Sequence, residues 1–129
     1  MADGTVIFDT DVLIWCERKN LKAADVVNGA QDRYASVQTY MEFLQGARSH
    51  QEMQVIKDFF SQMDILILPF TENIGHRASI YIEEHAPDGL RSGDAIIAAT
   101  AVENNMTLIS GNQKHFKPIK ELKWKVFNA

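Results

Sequence analysis

The strongest constraint on how this chain can fold is an alternation. Short apolar runs recur along it, and the stretches between them carry apolar residues at helical spacing. Thr5-Val6-Ile7-Phe8, Tyr34-Ala35-Ser36-Val37, Ile65-Leu66-Ile67-Leu68 and Thr107-Leu108-Ile109 read as strands, and Lys125-Val126-Phe127 reads as a last edge strand. Val12, Leu13, Ile14 and Trp15 follow Asp9-Thr10-Asp11 into a first helix, and Leu21 to Val27 form a second, stopped by Asn28-Gly29. Thr39 caps a helix carrying Met41, Phe43 and Leu44, with Gly46 near its end. Gln51 to Met63 shows one apolar stripe at Val55, Ile56, Phe59, Phe60 and Met63. Thr71 caps a helix with Ile74, Ala78, Tyr81 and Ile82 on one face. Pro87-Asp88-Gly89 is a loop, and Ser92 precedes the most apolar helix, Ala95 to Val102, which ends around Asn104-Asn105. Strand and helix in turn imply βαβ units. The predicted architecture is a three-layer α/β fold, with a central parallel sheet of about five short strands flanked by helices. The unbroken run Ile65–Leu68 predicts a central strand covered on both faces.

The 129 residues suit one domain, 1–129, and suffice to bury roughly two-thirds of the surface of the unfolded chain. With 46% hydrophobic and 23% charged residues, the composition excludes a disordered chain, and no stretch approaches the ~20 apolar residues of a membrane span. The formal net charge of −4 lacks the basic footprint of many nucleic-acid binders, but a carboxylate metal site adds negative charge that its cation offsets. A single cysteine, Cys16, rules out an intramolecular disulfide and reads as a small apolar filler. Met1-Ala2-Asp3-Gly4 has neither a basic region nor an apolar run and does not read as a signal peptide. The expected location is the cytoplasm.

In an open α/β sheet, ligands bind beyond the carboxyl ends of the strands. The first strand runs into Asp9, with Asp11 beyond it. The helix after the second strand holds Glu42 in its first turn, and the helix after Ser92 holds Asp94 in its own. The fourth strand leads into Ser110-Gly111-Asn112. Crowded carboxylates raise one another's pKa, and a hard divalent cation such as Mg²⁺ or Mn²⁺ relieves that repulsion through oxygen ligands. No Cys/His pattern suggests zinc.

Each acid also has a structural reading. Asp9-Thr10-Asp11 can cap a helix, Thr39-Tyr40-Met41-Glu42 matches a capping box, and Asp94 suits the dipole of its helix. Those readings do not explain why the helix starts share one sheet edge. His50, His76, His85 and His115 follow no ligand spacing and are expected at the surface or at helix ends. Lys114, Lys117, Lys120, Lys123 and Lys125 read either as a rim for an RNA backbone or as a solubilising face. Trp124 and Phe127 read as packing groups.

At these residues the chain resembles the PIN-domain ribonucleases and, within them, the VapC-type toxins of bacterial toxin–antitoxin pairs. Four segments carry the resemblance, in order and over nearly the whole length: Val6-Ile7-Phe8-Asp9-Thr10-Asp11-Val12-Leu13-Ile14; Ser36 to Gly46 with Glu42; Gly93-Asp94-Ala95-Ile96-Ile97-Ala98-Ala99-Thr100-Ala101; and Thr107-Leu108-Ile109-Ser110-Gly111-Asn112 with Phe116. The resemblance implies a metal-dependent endoribonuclease, with Asp9, Glu42 and Asp94 as catalytic metal-binding acids and Asn112 at a fourth position where many members carry Asp. It implies supporting roles for Thr10 and Ser110. Asp11 stands where the family usually has Asn, and so supplies charge that Asn112 lacks. His115 precedes Phe116 where members often carry an acid, and is assigned no role. Lys114 and Lys117 are the candidate RNA contacts. The implied partners are an RNA substrate, a small antitoxin that covers the site and a second copy in a homodimer. Ile14, Trp15 and Phe43 are candidates for such contacts.

Two other readings compete. Asp-x-Asp after a first strand also opens haloacid-dehalogenase-type phosphatases, but those carry Thr where this chain has Leu13 and need a longer chain with a lysine motif. A non-catalytic PIN-like module that binds RNA or protein is kept open by Asn112.

Overall fold

The opening run becomes strand β1 (Thr5–Phe8), and its pleat explains the layering. Val6 and Phe8 point into one core and Ile7 into another, so β1 is covered on both faces. The computed structural model describes residues 5–129, so the reading of Met1-Ala2-Asp3-Gly4 lies outside the described residues. Strands β2 (Asp32–Ser36), β3 (Ile65–Leu68), β4 (Thr107–Ser110) and β5 (Trp124–Val126) complete one sheet in the order β3-β2-β1-β4-β5. Every strand pair is parallel. The fold is the α/β three-layer sheet that the alternation implies.

Helices α1 (Thr10–Glu17), α2 (Leu21–Gly29), α3 (Val37–Gln45) and α4 (His50–Gln62) contribute to the core that takes Val6 and Phe8. Helices α5 (Glu72–His85) and α6 (Ser92–Glu103) build the other, with Phe116 from the short helix α7 (Gln113–Phe116). Helix α6 is the most enclosed. Ala95, Ile97, Ala98, Ala99, Thr100 and Ala101 are all buried, small side chains letting the helix lie close to its neighbours. Among the described residues, no helix is long and apolar enough to cross a membrane.

The structure corrects the place of β3. It is an edge strand, with Leu66 61% and Ile67 38% exposed. Hydropathy reports how apolar a run is, whereas the order of crossovers decides which strand lies at the centre. Here only Ile65 is fully buried and Leu68 is packed in part.

A second correction concerns α3. Ser36, not Thr39, is its N-cap: the Ser36 hydroxyl oxygen accepts from the Thr39 amide at 3.0 Å. Strand β2 ends at Ser36 in an extended conformation, so the helix starts at once. Glu42 therefore lies in the second turn, and the capping box is not formed. Smaller shifts occur at other ends. Helix α2 continues through Asn28-Gly29, and Ala86–Asp88 form a single 3₁₀ turn before Gly89, whose φ of 100° a side chain would resist.

Candidate metal centre

The chain leaves β1 at Asp9 and β4 at Ser110, and these neighbouring strands mark the point where the sheet's connections reverse direction. Such a switch point opens a crevice at the carboxyl ends of the strands. Asp9 is buried there, 5% exposed. One carboxylate oxygen accepts from the Thr10 amide at 2.8 Å and caps α1; the other accepts from the Ser110 hydroxyl at 2.6 Å. Burial, then the charge of Asp11, pushes the Asp9 carboxyl up to about 7 against the pull of those hydrogen bonds, and Asp94 adds to the rise. Asp11 is also raised, chiefly by burial and partly by Asp94, although the Gly111 amide donates to it at 3.0 Å. That bond draws the start of α1 to the turn after β4. A β-carbon on Gly111 would stand 2.8 Å from the same Asp11 oxygen and 3.0 Å from the Phe127 carbonyl oxygen, so a side chain there would push on the Asp11 carboxylate.

Glu42 reaches the crevice from α3, which Phe43 holds against Phe60 of α4, ring centres 5.4 Å apart and edge to face. The Thr10 hydroxyl donates to Glu42 Oε1 at 2.6 Å, and the Gln38 amide nitrogen donates to Oε2 at 2.8 Å. Thr10 has one hydroxyl proton, and the carboxylate takes it. Thr39, 3.0 Å away and fully buried, therefore donates to Thr10 in turn. On the far side, a β-carbon on Gly93 would come within 2.9 Å of Glu42 Oε2. The Glu42 carboxylate thus spans the crevice, from the residue beside Asp9 to the residue beside Asp94.

Asp94 lies in the first turn of α6 and pairs with His115, Oδ2 to Nδ1 at 2.7 Å. The Asn112 amide stands 2.8 Å from the same His115 nitrogen, and the Asn112 backbone N–H donates to Ser110 Oγ at 2.9 Å. Asn112 is thus one side chain removed from the acids. Among the described residues, no three His, Cys, Asp or Glu side chains stand close enough to grip an ion as they lie. Each acid is turned onto its own partner. Lys114 and Lys117 are exposed beside this edge, on α7 and just after it. Cys16, buried in α1, lies in the apolar core and adds no donor.

The model of the PIN domain family matches residues 6–122. This chain belongs to the PIN domain family. The PIN domain is 28% identical to Ribonuclease VapC1 of Methanocaldococcus jannaschii over 134 residues, covering 98% of this chain and 89% of the relative. Its fold matches a toxin–antitoxin complex from Klebsiella pneumoniae with a TM-score of 0.76 and 26% identity, over 92% of this chain and 95% of that one. It matches DNA-bound VapBC from Salmonella typhimurium with a TM-score of 0.81 and 21% identity, over 95% of this chain and 97% of that one. The resemblance to VapC-type proteins therefore holds in sequence and in shape.

Two residues of this PIN domain escaped the reading of the sequence. His115, assigned no role, contacts Asp94; its spacing of three from Asn112, at the start of a short helix, was the available signal. Gln38 contacts Glu42, and its spacing of four was the signal there. His50 and His76 are exposed and His85 closes α5, all as expected of them.

Proposed function

We propose that this PIN domain is a metal-dependent endoribonuclease that hydrolyses RNA phosphodiester bonds, and that it serves as the toxin of a type II toxin–antitoxin pair. One observation supports the reading: the Glu42 carboxylate accepts from Thr10, the residue after Asp9, and lies against Gly93, the residue before Asp94, near the sheet's switch point. Carboxylate oxygens suit a hard cation, Mg²⁺ or Mn²⁺, and the raised Asp9 and Asp11 are groups that a cation would relieve. Asp9, Glu42 and Asp94 would hold it, with Asn112 able to join on leaving His115. A bound cation supplies an activated water and neutralises charge that builds on the phosphate. The chain's own groups do the rest. Thr10 and Ser110 keep two of the acids oriented, Asp11 adds charge and ties α1 to the β4 turn, and Lys114 and Lys117 offer the RNA backbone cations that release counterions on binding.

The antitoxin is supported by an open groove next to the site. Ile14, Phe43 and Val55 give it apolar walls, Glu17 and Arg18 give it charges, and Glu42 is part of its lining, so a peptide seated there would lie against one of the acids. The relatives from Klebsiella pneumoniae and Salmonella typhimurium were solved as a toxin–antitoxin complex and as VapBC. Leu66, Ile67 and Phe70, exposed at the β3 edge, suit a second copy of the chain in a homodimer. Cytoplasmic RNA is the expected substrate pool.

Glu42→Gln tests the reading at the bridging group. It keeps the size of the side chain and removes its charge, so metal-dependent cleavage of RNA should fall by at least about 100-fold while the melting temperature of the metal-free protein holds. Undiminished cleavage would remove Glu42 from the site.

A further inference from the structure

The proposed cleavage needs Glu42 in one place, and Glu is a long, mobile side chain. We propose that Gln38 is a positioning residue for Glu42: it fixes the carboxylate oxygen that Thr10 does not reach and so sets the affinity of the centre for its cation. The inference rests on the proposed metal-dependent activity. Gln38 lies at the start of α3, one turn before Glu42 and half-buried. Its Nε2 donates to Oε2 at 2.8 Å, while Thr10 donates to Oε1 at 2.6 Å. With one donor on each oxygen, both the position and the tilt of the carboxylate plane are determined.

A pair spaced by four on a helix is often only a weak stabiliser of that helix. This one is closed by a third element. A β-carbon on Gly93 would meet Glu42 Oε2 at 2.9 Å and Gln38 Nε2 at 3.2 Å, both tighter than ordinary contact. The start of α6 is therefore pressed onto the Gln38–Glu42 pair, and glycine leaves the space that the pair occupies. Helix α1 supports one oxygen, helix α3 the other, and helix α6 caps the junction beside Asp94. Groups that orient metal-binding side chains typically change affinity or activity by about 10- to 100-fold when they are removed.

The test is Mn²⁺ binding by the full chain, followed calorimetrically, with the melting temperature of the metal-free protein and RNA cleavage measured beside it. Gln38→Met keeps the length of the side chain and loses the donor. It should weaken Mn²⁺ by about 10-fold with the metal-free melting temperature unchanged. Gly93→Ala perturbs the pair from the other side and should weaken Mn²⁺ similarly, and the double variant should lose no more than the weaker-binding single variant, because both act on one carboxylate. Wild-type Mn²⁺ affinity in Gln38→Met overturns the proposal. So does a lower metal-free melting temperature with affinity intact, since that describes a helix pair only. If wild type binds Mn²⁺, Asp94→Asn abolishes binding and Gln38→Met changes nothing, the positioning role fails and the metal-dependent reading stands. If wild type itself binds no Mn²⁺, both fail together.

Discussion

Asp9 carries the greatest electrostatic cost at the candidate site. Its carboxyl is raised from 3.8 to about 7, first by burial and then by the charge of Asp11. Between those two values the folded metal-free protein keeps a proton that the unfolded chain has released. Stability should therefore be highest below 3.8 as far as this group is concerned, and should fall as pH climbs towards 7. Melting curves of the metal-free protein across that window test this, and Asp9→Asn should flatten the slope and be the more stable variant at neutral pH. A slope of the opposite sign would mean that Asp9 is not desolvated in solution. The pattern of residue types exposed the acids themselves, because carboxylates at the ends of strands and the starts of helices stand out in an apolar background. It did not expose their partners. Glu42 imitated a capping box since Ser36 and Thr39 are both able caps, and only the end of β2 decides between them. The contact of His115 with Asp94 closes across 21 residues, so only its spacing of three from Asn112 hinted at a role.

Helix α3 delivers Glu42, so its start matters to the site. Ser36→Ala removes the acceptor for the Thr39 amide and should cost about 1 kcal/mol in chemical denaturation. An unchanged midpoint would return the cap to Thr39. The β3 edge makes a separate prediction. Leu66→Lys should change the stability of the monomer by no more than about 0.5 kcal/mol, because Leu66 is largely exposed in the single chain, although it would weaken a homodimer formed through this edge. Leu108→Lys, at a fully buried position of β4, should prevent folding. Equal damage from both would mean that β3 is interior after all. Elements were legible because period and length separate these strands from these helices. Strand order was not, since the same four apolar residues fit a central strand or an edge that a partner covers.

Across the whole molecule, the net charge of −4 is spread so that acids gather at the switch point while Lys114 and Lys117 stand beside it. A cation there would bind the folded chain and not the unfolded one, so Mn²⁺ should raise the melting temperature in a concentration-dependent way. Asp94→Asn should abolish that rise, and a rise of equal size in the variant would place the cation elsewhere. Cleavage of RNA by these acids through a divalent cation is the proposal on which the rest depends. Its most direct test is incubation of antitoxin-free protein with a mixed cellular RNA pool, with Mg²⁺ or Mn²⁺ and with EDTA, beside Asp94→Asn. Discrete fragments are expected with either cation, none with EDTA and none from the variant. Intact RNA under every condition, from protein that melts cooperatively, would contradict the proposal and favour a PIN domain without catalytic activity.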